Sequence, residues 1–110
     1  MTERLPVIFR KDKGGEIVAV FPTERGTTDP DTMTCYAHVG QHSSCTVGWY
    51  YTTKPAQLPE YQRLLNELRQ IYETGEDRVC LAVYSRITPE MVKTRLTKSS
   101  NISRGSRSRR

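Results

Sequence analysis

Between Pro59 and Glu73 the apolar residues are Tyr61, Leu64, Leu65, Leu68, Ile71 and Tyr72. Steps of three and four residues draw one stripe along an α-helix. Gln62, Arg63, Asn66, Glu67, Arg69 and Gln70 occupy the opposite side. Pro59 suits a first helical turn, Glu60 favours the helix dipole there, and Gly75 supplies a stop. Elsewhere the pattern is that of strands. In residues 5–10, Val7 and Phe9 share one face while Ile8 and Arg10 share the other. Pro6 cannot donate to a ladder and marks a strand start or an edge. The segment Lys11-Asp12-Lys13-Gly14-Gly15 reads as a tight turn. Residues 16–21 follow, apolar on both faces and closed by Pro22, which predicts a central strand.

Residues 23–34 are polar and read as a long loop, and residues 34–39 as a third strand. Residues 40–44 read as a turn or loop, and Thr46 to Thr52 as a short strand or ordered loop. Residues 79–84 are apolar on both faces, which predicts a buried strand. Thr88-Pro89-Glu90 has the composition of a helix start, with Met91, Val92 and Leu96 giving a short stripe. The order β-β-β-(β)-α-β-α defines the α+β class. The expectation is a small, mainly antiparallel sheet covered by the 59–73 helix. A helical connection can also return the chain parallel to an earlier strand and make the sheet mixed.

A chain of 110 residues, 35% of them hydrophobic, has material for one core. The predicted division is a single domain over 1–98 and a disordered Arg/Ser-rich tail over 99–110. Charge supports that boundary. The net charge of +5 divides into seven bases and no acid over 93–110, against ten bases and twelve acids over 1–92. The tail has almost nothing to bury against its ordering entropy. Apolar runs such as Ile17–Phe21 are far too short to span a bilayer, and the N-terminal residues lack a signal-peptide core. Three cysteines are too few, and odd in number, for a disulfide scaffold. These features point to a cytoplasmic setting and away from a membrane.

Several blocks together form a distinctive order: Val7-Ile8-Phe9-Arg10-Lys11, Glu16 to Pro22, Tyr36 to His42, Tyr51 to Ala56, and Glu60-Tyr61. In that order the chain resembles a group of small uncharacterised proteins encoded by bacterial, phage and mobile-element genomes. The likeness covers roughly residues 6–72. It implies a bacterial or phage-infected cell and carries over no catalytic residue. The Arg-rich tail and Cys45 depart from the group's pattern.

Three sets of residues are candidates for chemistry. Lys93, Arg95, Lys98, Arg104, Arg107, Arg109 and Arg110 can neutralise phosphates and release counterions, so sequence-independent nucleic-acid binding is the leading expectation. A merely solubilising terminus is the plain alternative. Gln41, His42, Trp49 and Tyr50 offer a loop with aromatic anchors for a host or phage protein, which makes an inhibitor or adaptor the second function class. Cys35, His38, His42 and Cys45 spell C-x2-H-x3-H-x2-C, all zinc-ligand types, so a zinc-stabilised module is the third. On a strand Cys35 and His38 point to opposite faces, so the expectation is a buried cysteine, no metal and no cofactor. Nothing marks an oxyanion hole, a phosphate-cradling glycine loop or a telling acid pair, and the expectation is a non-enzymatic protein.

Overall fold

The computed structural model describes residues 3–37, 42–74 and 79–97. The first hairpin joins β1 (Glu3–Lys11) to β2 (Ile17–Phe21), with Phe9 opposite Ala19 and Lys11 opposite Ile17. Its turn depends on Gly15, whose φ of 90° is a left-handed conformation that glycine adopts without a Cβ penalty. The Gly15 N–H donates to the Asp12 carbonyl at 2.9 Å, and the Asp12 side chain accepts from the N–H groups of Gly14 and Glu16.

β3 (Thr32–Tyr36) pairs antiparallel with β2, and β4 (His42–Thr46) pairs antiparallel with β3. A helical turn, α1 (Val47–Tyr50), follows at once. β5 (Lys54–Pro55) then bridges to the end of β1, with Lys54 opposite Lys11 and Pro55 opposite Arg10. Helix α2 (Leu58–Tyr72) carries the chain back to β6 (Val79–Tyr84), which lies parallel to β1 from Glu3 to Ile8. The last described element, α3, is helical over 89–97. Its start is as read from sequence: Thr88 Oγ1 accepts from the Met91 N–H at 3.2 Å.

The class is α+β, and the sheet is mainly antiparallel with one parallel pair. Both faces are covered. On the first, Leu64, Leu65 and Leu68 of α2 pack on Leu5, Val7, Phe9, Ala19, Phe21, Tyr36 and Leu81. Phe9 and Tyr61 stack there with ring centroids 4.3 Å apart. On the second, Tyr50 and Met91 close over Ile8, Val18, Val20, Met33, Cys35 and Cys45. β2 lies between β1 and β3, which is why it is apolar on both faces.

Four local expectations are corrected. β6 is not buried throughout: among the described residues it pairs only with β1, and Val83 and Tyr84 are 41% and 43% exposed and Cys80 is also exposed. Its outer side is partly guarded, since the Leu81 N–H donates to Glu73 Oε2 at 2.8 Å. The third strand starts at Thr32 rather than Thr34, because Thr32 Oγ1 is drawn into a network with Asp29 and Thr27 that orders the preceding loop. Residues 42–44 belong to a strand and not a loop. They are polar because most of β4 is exposed at the sheet edge. Within Thr46 to Thr52, read as a short strand or ordered loop, Thr46 ends β4 and Val47–Tyr50 is a helical turn, because Thr46 Oγ1 accepts from the Trp49 N–H at 2.9 Å and caps α1. The Gly75 stop and residues 99–110 lie outside the described residues.

Candidate functional site

The Cys/His motif is divided by the β3–β4 ladder. Opposite partners are Tyr36 and His42, Cys35 and Ser43, and Met33 and Cys45. Residues directly opposite share a face, and neighbours along a strand alternate. Cys35 and Cys45 therefore enter the face covered by α3, whereas His42 joins Tyr36, Phe21 and Tyr72 on the α2 face. His42 Nε2 lies 2.6 Å from the Tyr72 hydroxyl, and the Tyr36 hydroxyl donates to Glu67 Oε2. The Glu67 carboxylate and burial push the Tyr36 phenol up to about 12, so it remains neutral. His38 lies outside the described residues. Among the described residues no three His, Cys, Asp or Glu side chains converge as a metal-ligand group. Strand pairing, rather than the alternation of Cys35 and His38, is what divides the described part of the motif.

The two thiols do meet. The Cys45 thiol hydrogen-bonds to Cys35, whose Sγ also lies 3.3 Å from Ser43 Oγ. The bond from Cys45 pulls the Cys35 thiol down to about 6 against the opposing effect of burial, and Ser43 helps. The same bond, with burial, pushes the Cys45 thiol up.

The aromatic candidates are corrected in part. Tyr50 is only 3% exposed, and its ring lies beneath the Arg10 guanidinium at 4.4 Å. Arg10 is itself buried and donates to the hydroxyl and carbonyl of Thr53, both at 2.7 Å. Tyr50 thus holds an internal charge in place and cannot anchor a partner. Trp49 is half-buried against the second core cluster, and Gln41 lies outside the described residues. The ring that does face solvent is Tyr51, at 70% exposure.

Among the basic candidates, Arg95 is also corrected. It is 4% exposed and its guanidinium donates to the Pro22 carbonyl at 3.1 Å, so it ties α3 to the sheet rather than reaching a phosphate. Burial lowers its pKa, with the neighbouring Arg25 acting in the same direction. Lys93 is exposed on α3, whereas Lys98, Arg104, Arg107, Arg109 and Arg110 lie outside the described residues.

A basic site not anticipated from sequence stands at the end of the first hairpin. Lys11, Lys13 and Lys54 are the three lysines of residues 1–92, and all three line one open cavity of about 440 Å³. Lys11 and Lys54 are directly opposite each other across β1 and β5, an arrangement of like charges that costs stability. Two acids share the rim, and both are engaged. Glu60 Oε2 meets Lys11 Nζ at 2.5 Å, while Glu60 Oε1 accepts from the Gln57 N–H at the start of α2. That N–H and Lys11 hold the Glu60 carboxyl below its ordinary pKa. Asp12 is committed to the hairpin turn. Lys13 and Lys54 line the cavity, and neither has an ion-pair partner among the described residues. In sequence Lys54 is some forty residues from the other two, and only the two-residue β5 bridge brings them together.

Compared with known proteins, the chain matches no family model, no curated protein and no solved structure. Among the described residues no helix is long and apolar enough to cross a membrane.

Proposed function

We propose that this chain is a small non-enzymatic binding protein whose ligand is the phosphate backbone of nucleic acid. The observation that carries the reading is the convergence of Lys11, Lys13 and Lys54 on one cavity, with Lys11 and Lys54 set directly opposite. Placing like charges there works against folding, and an anion in the cavity relieves it. Lysine serves as a point charge for phosphate, so the site favours no base sequence. The basic residues from Lys98 onward add a second, sequence-derived grip. Together the two make binding sequence-independent and sensitive to salt.

A second reading rests on the edge strand β6. Val83 and Tyr84 are exposed there, and such an edge can receive an extended segment of a protein partner. It replaces the loop-and-aromatic version of the protein-binding reading, which loses Tyr50 to the core.

A salt titration of binding to duplex DNA separates these readings. Lys13→Gln/Lys54→Gln leaves the Lys11–Glu60 pair intact. On duplex DNA it is expected to flatten the slope of log affinity against log salt by up to about 0.9 for each phosphate left without its lysine, so by about 2 at most. Replacing Arg104, Arg107, Arg109 and Arg110 by Ala is expected to remove roughly 3–4 units at most. Unchanged affinity and slope in both variants contradicts the nucleic-acid reading and favours the β6 edge.

A further inference from the structure

We propose that Cys35 and Cys45 form a binding site for a soft monovalent metal ion of the copper(I) class. The β3–β4 register puts the two residues diagonally across adjacent strands on one face, and both side chains belong to the same buried cluster. The surroundings are rich in sulfur. Met33 lies directly opposite Cys45, and Met91 of α3 packs into the same cluster. Among the described residues, four of the eight buried members of this cluster, Met33, Cys35, Cys45 and Met91, bear sulfur. They are two of the three cysteines and two of the three methionines in the chain.

Ligand softness decides which ion fits. Thiolate and thioether sulfur select copper(I), whereas a structural zinc site needs four ligands of the thiolate, imidazole or carboxylate kind. The described residues offer no third such ligand beside the two thiols, and His42 is held on the opposite face by Tyr72. Two sulfurs suffice for copper(I), which accepts low coordination numbers. Binding to the Cys35 thiolate and the Cys45 thiol forms two Cu–S bonds and breaks one S–H bond, with one proton released to solvent. The product, two thiolates around one monovalent cation, carries one negative charge. The buried guanidinium of Arg95 acts electrostatically on Cys45 and offsets that charge. Cys35 and Cys45 are buried, at 6% and 9% residue exposure, so an ion held between them is shielded from water.

The test uses the reduced full-length protein under anaerobic conditions, titrated with copper(I) against the chromophoric chelator bathocuproine disulfonate. The expected result is one copper retained per chain, with a first shell of sulfur alone in X-ray absorption. Cys35→Ser and Cys45→Ser should each abolish retention, while Cys80→Ser, on the exposed edge strand, should leave it unchanged. Circular dichroism of each variant checks that the fold persists. The X-ray absorption measurement on the unaltered chain stands even if a serine variant fails to fold. Complete loss of copper to the chelator, a first shell containing nitrogen or oxygen, or retention that depends on Cys80 overturns the proposal.

Discussion

The two faces of the sheet are closed in different ways. On one, a single fifteen-residue helix lays Leu64, Leu65 and Leu68 on a continuous apolar surface. On the other, a four-residue helical turn and the 89–97 helix share the task, and two arginines are drawn inside with them. Arg10 is sandwiched between Tyr50 and Thr53, and Arg95 is tied to the Pro22 carbonyl. Hydrocarbon burial dominates the first face, with the Tyr36–Glu67 and His42–Tyr72 bonds at its margin. The second relies on hydrogen bonds to charged groups, which are strong when made and costly when broken. A face built that way is stabilised less by volume than by specific contacts, and it is the one that collects the thiols and methionines.

Truncating each face at its centre gives the largest contrast. Leu68 is fully buried, so Leu68→Ala is expected to cost about 3–5 kcal/mol of unfolding free energy by denaturant titration. Met91→Ala on the second face should cost less, about 2–3 kcal/mol, because only a short helix must settle around the vacated space. Equal losses would remove the distinction.

Next in size is Arg95→Leu. It deletes the charge-assisted bond to Pro22, and a loss of about 1.5–3 kcal/mol is expected, read in the same titration. A variant as stable as the parent would show that Arg95 merely fills space. Thr46→Ala removes the cap of α1 and should cost about 1 kcal/mol. It should also loosen Tyr50 over Arg10, which near-ultraviolet circular dichroism would register.

The finest distinction is a titration. Cys35 is depressed to about 6 in the folded chain, below its ordinary value of 9.0. Its contribution to stability is present above the unfolded value and is lost as pH falls through about 6. Cys45 is raised and works the other way, losing its contribution as pH climbs past the ordinary thiol range. Stability should therefore rise between about pH 6 and 9 more steeply in the parent than in Cys35→Ser. Thiolate absorbance at neutral pH should fall in the same variant. Parallel profiles would show that the thiol pair is not formed.

Much of the first face is legible from sequence, and much of the second is not. The stripe from Tyr61 to Tyr72 and the Gly14-Gly15 turn are local signals, and each occupies the expected element. β4 is nearly silent because a polar edge strand has no apolar alternation to read. α1 depends on one threonine cap in a run of aromatics that equally suits a strand. The Cys/His motif shows the limit most clearly. Spacing alone cannot say which residues of β3 and β4 become opposite, and register decides that the two thiols meet while His42 turns away. The lysine site is hidden for a related reason. Lys54 joins Lys11 through two residues of pairing that no propensity announces.

Mapping of backbone amide shifts on adding a short DNA duplex tests most directly whether the lysine site binds phosphate. The account predicts that, within the described residues, perturbations concentrate at 11–15 and 52–54 and fade as salt is raised. Perturbations centred on Val83 and Tyr84, or none within the described residues while the duplex still binds, would contradict it.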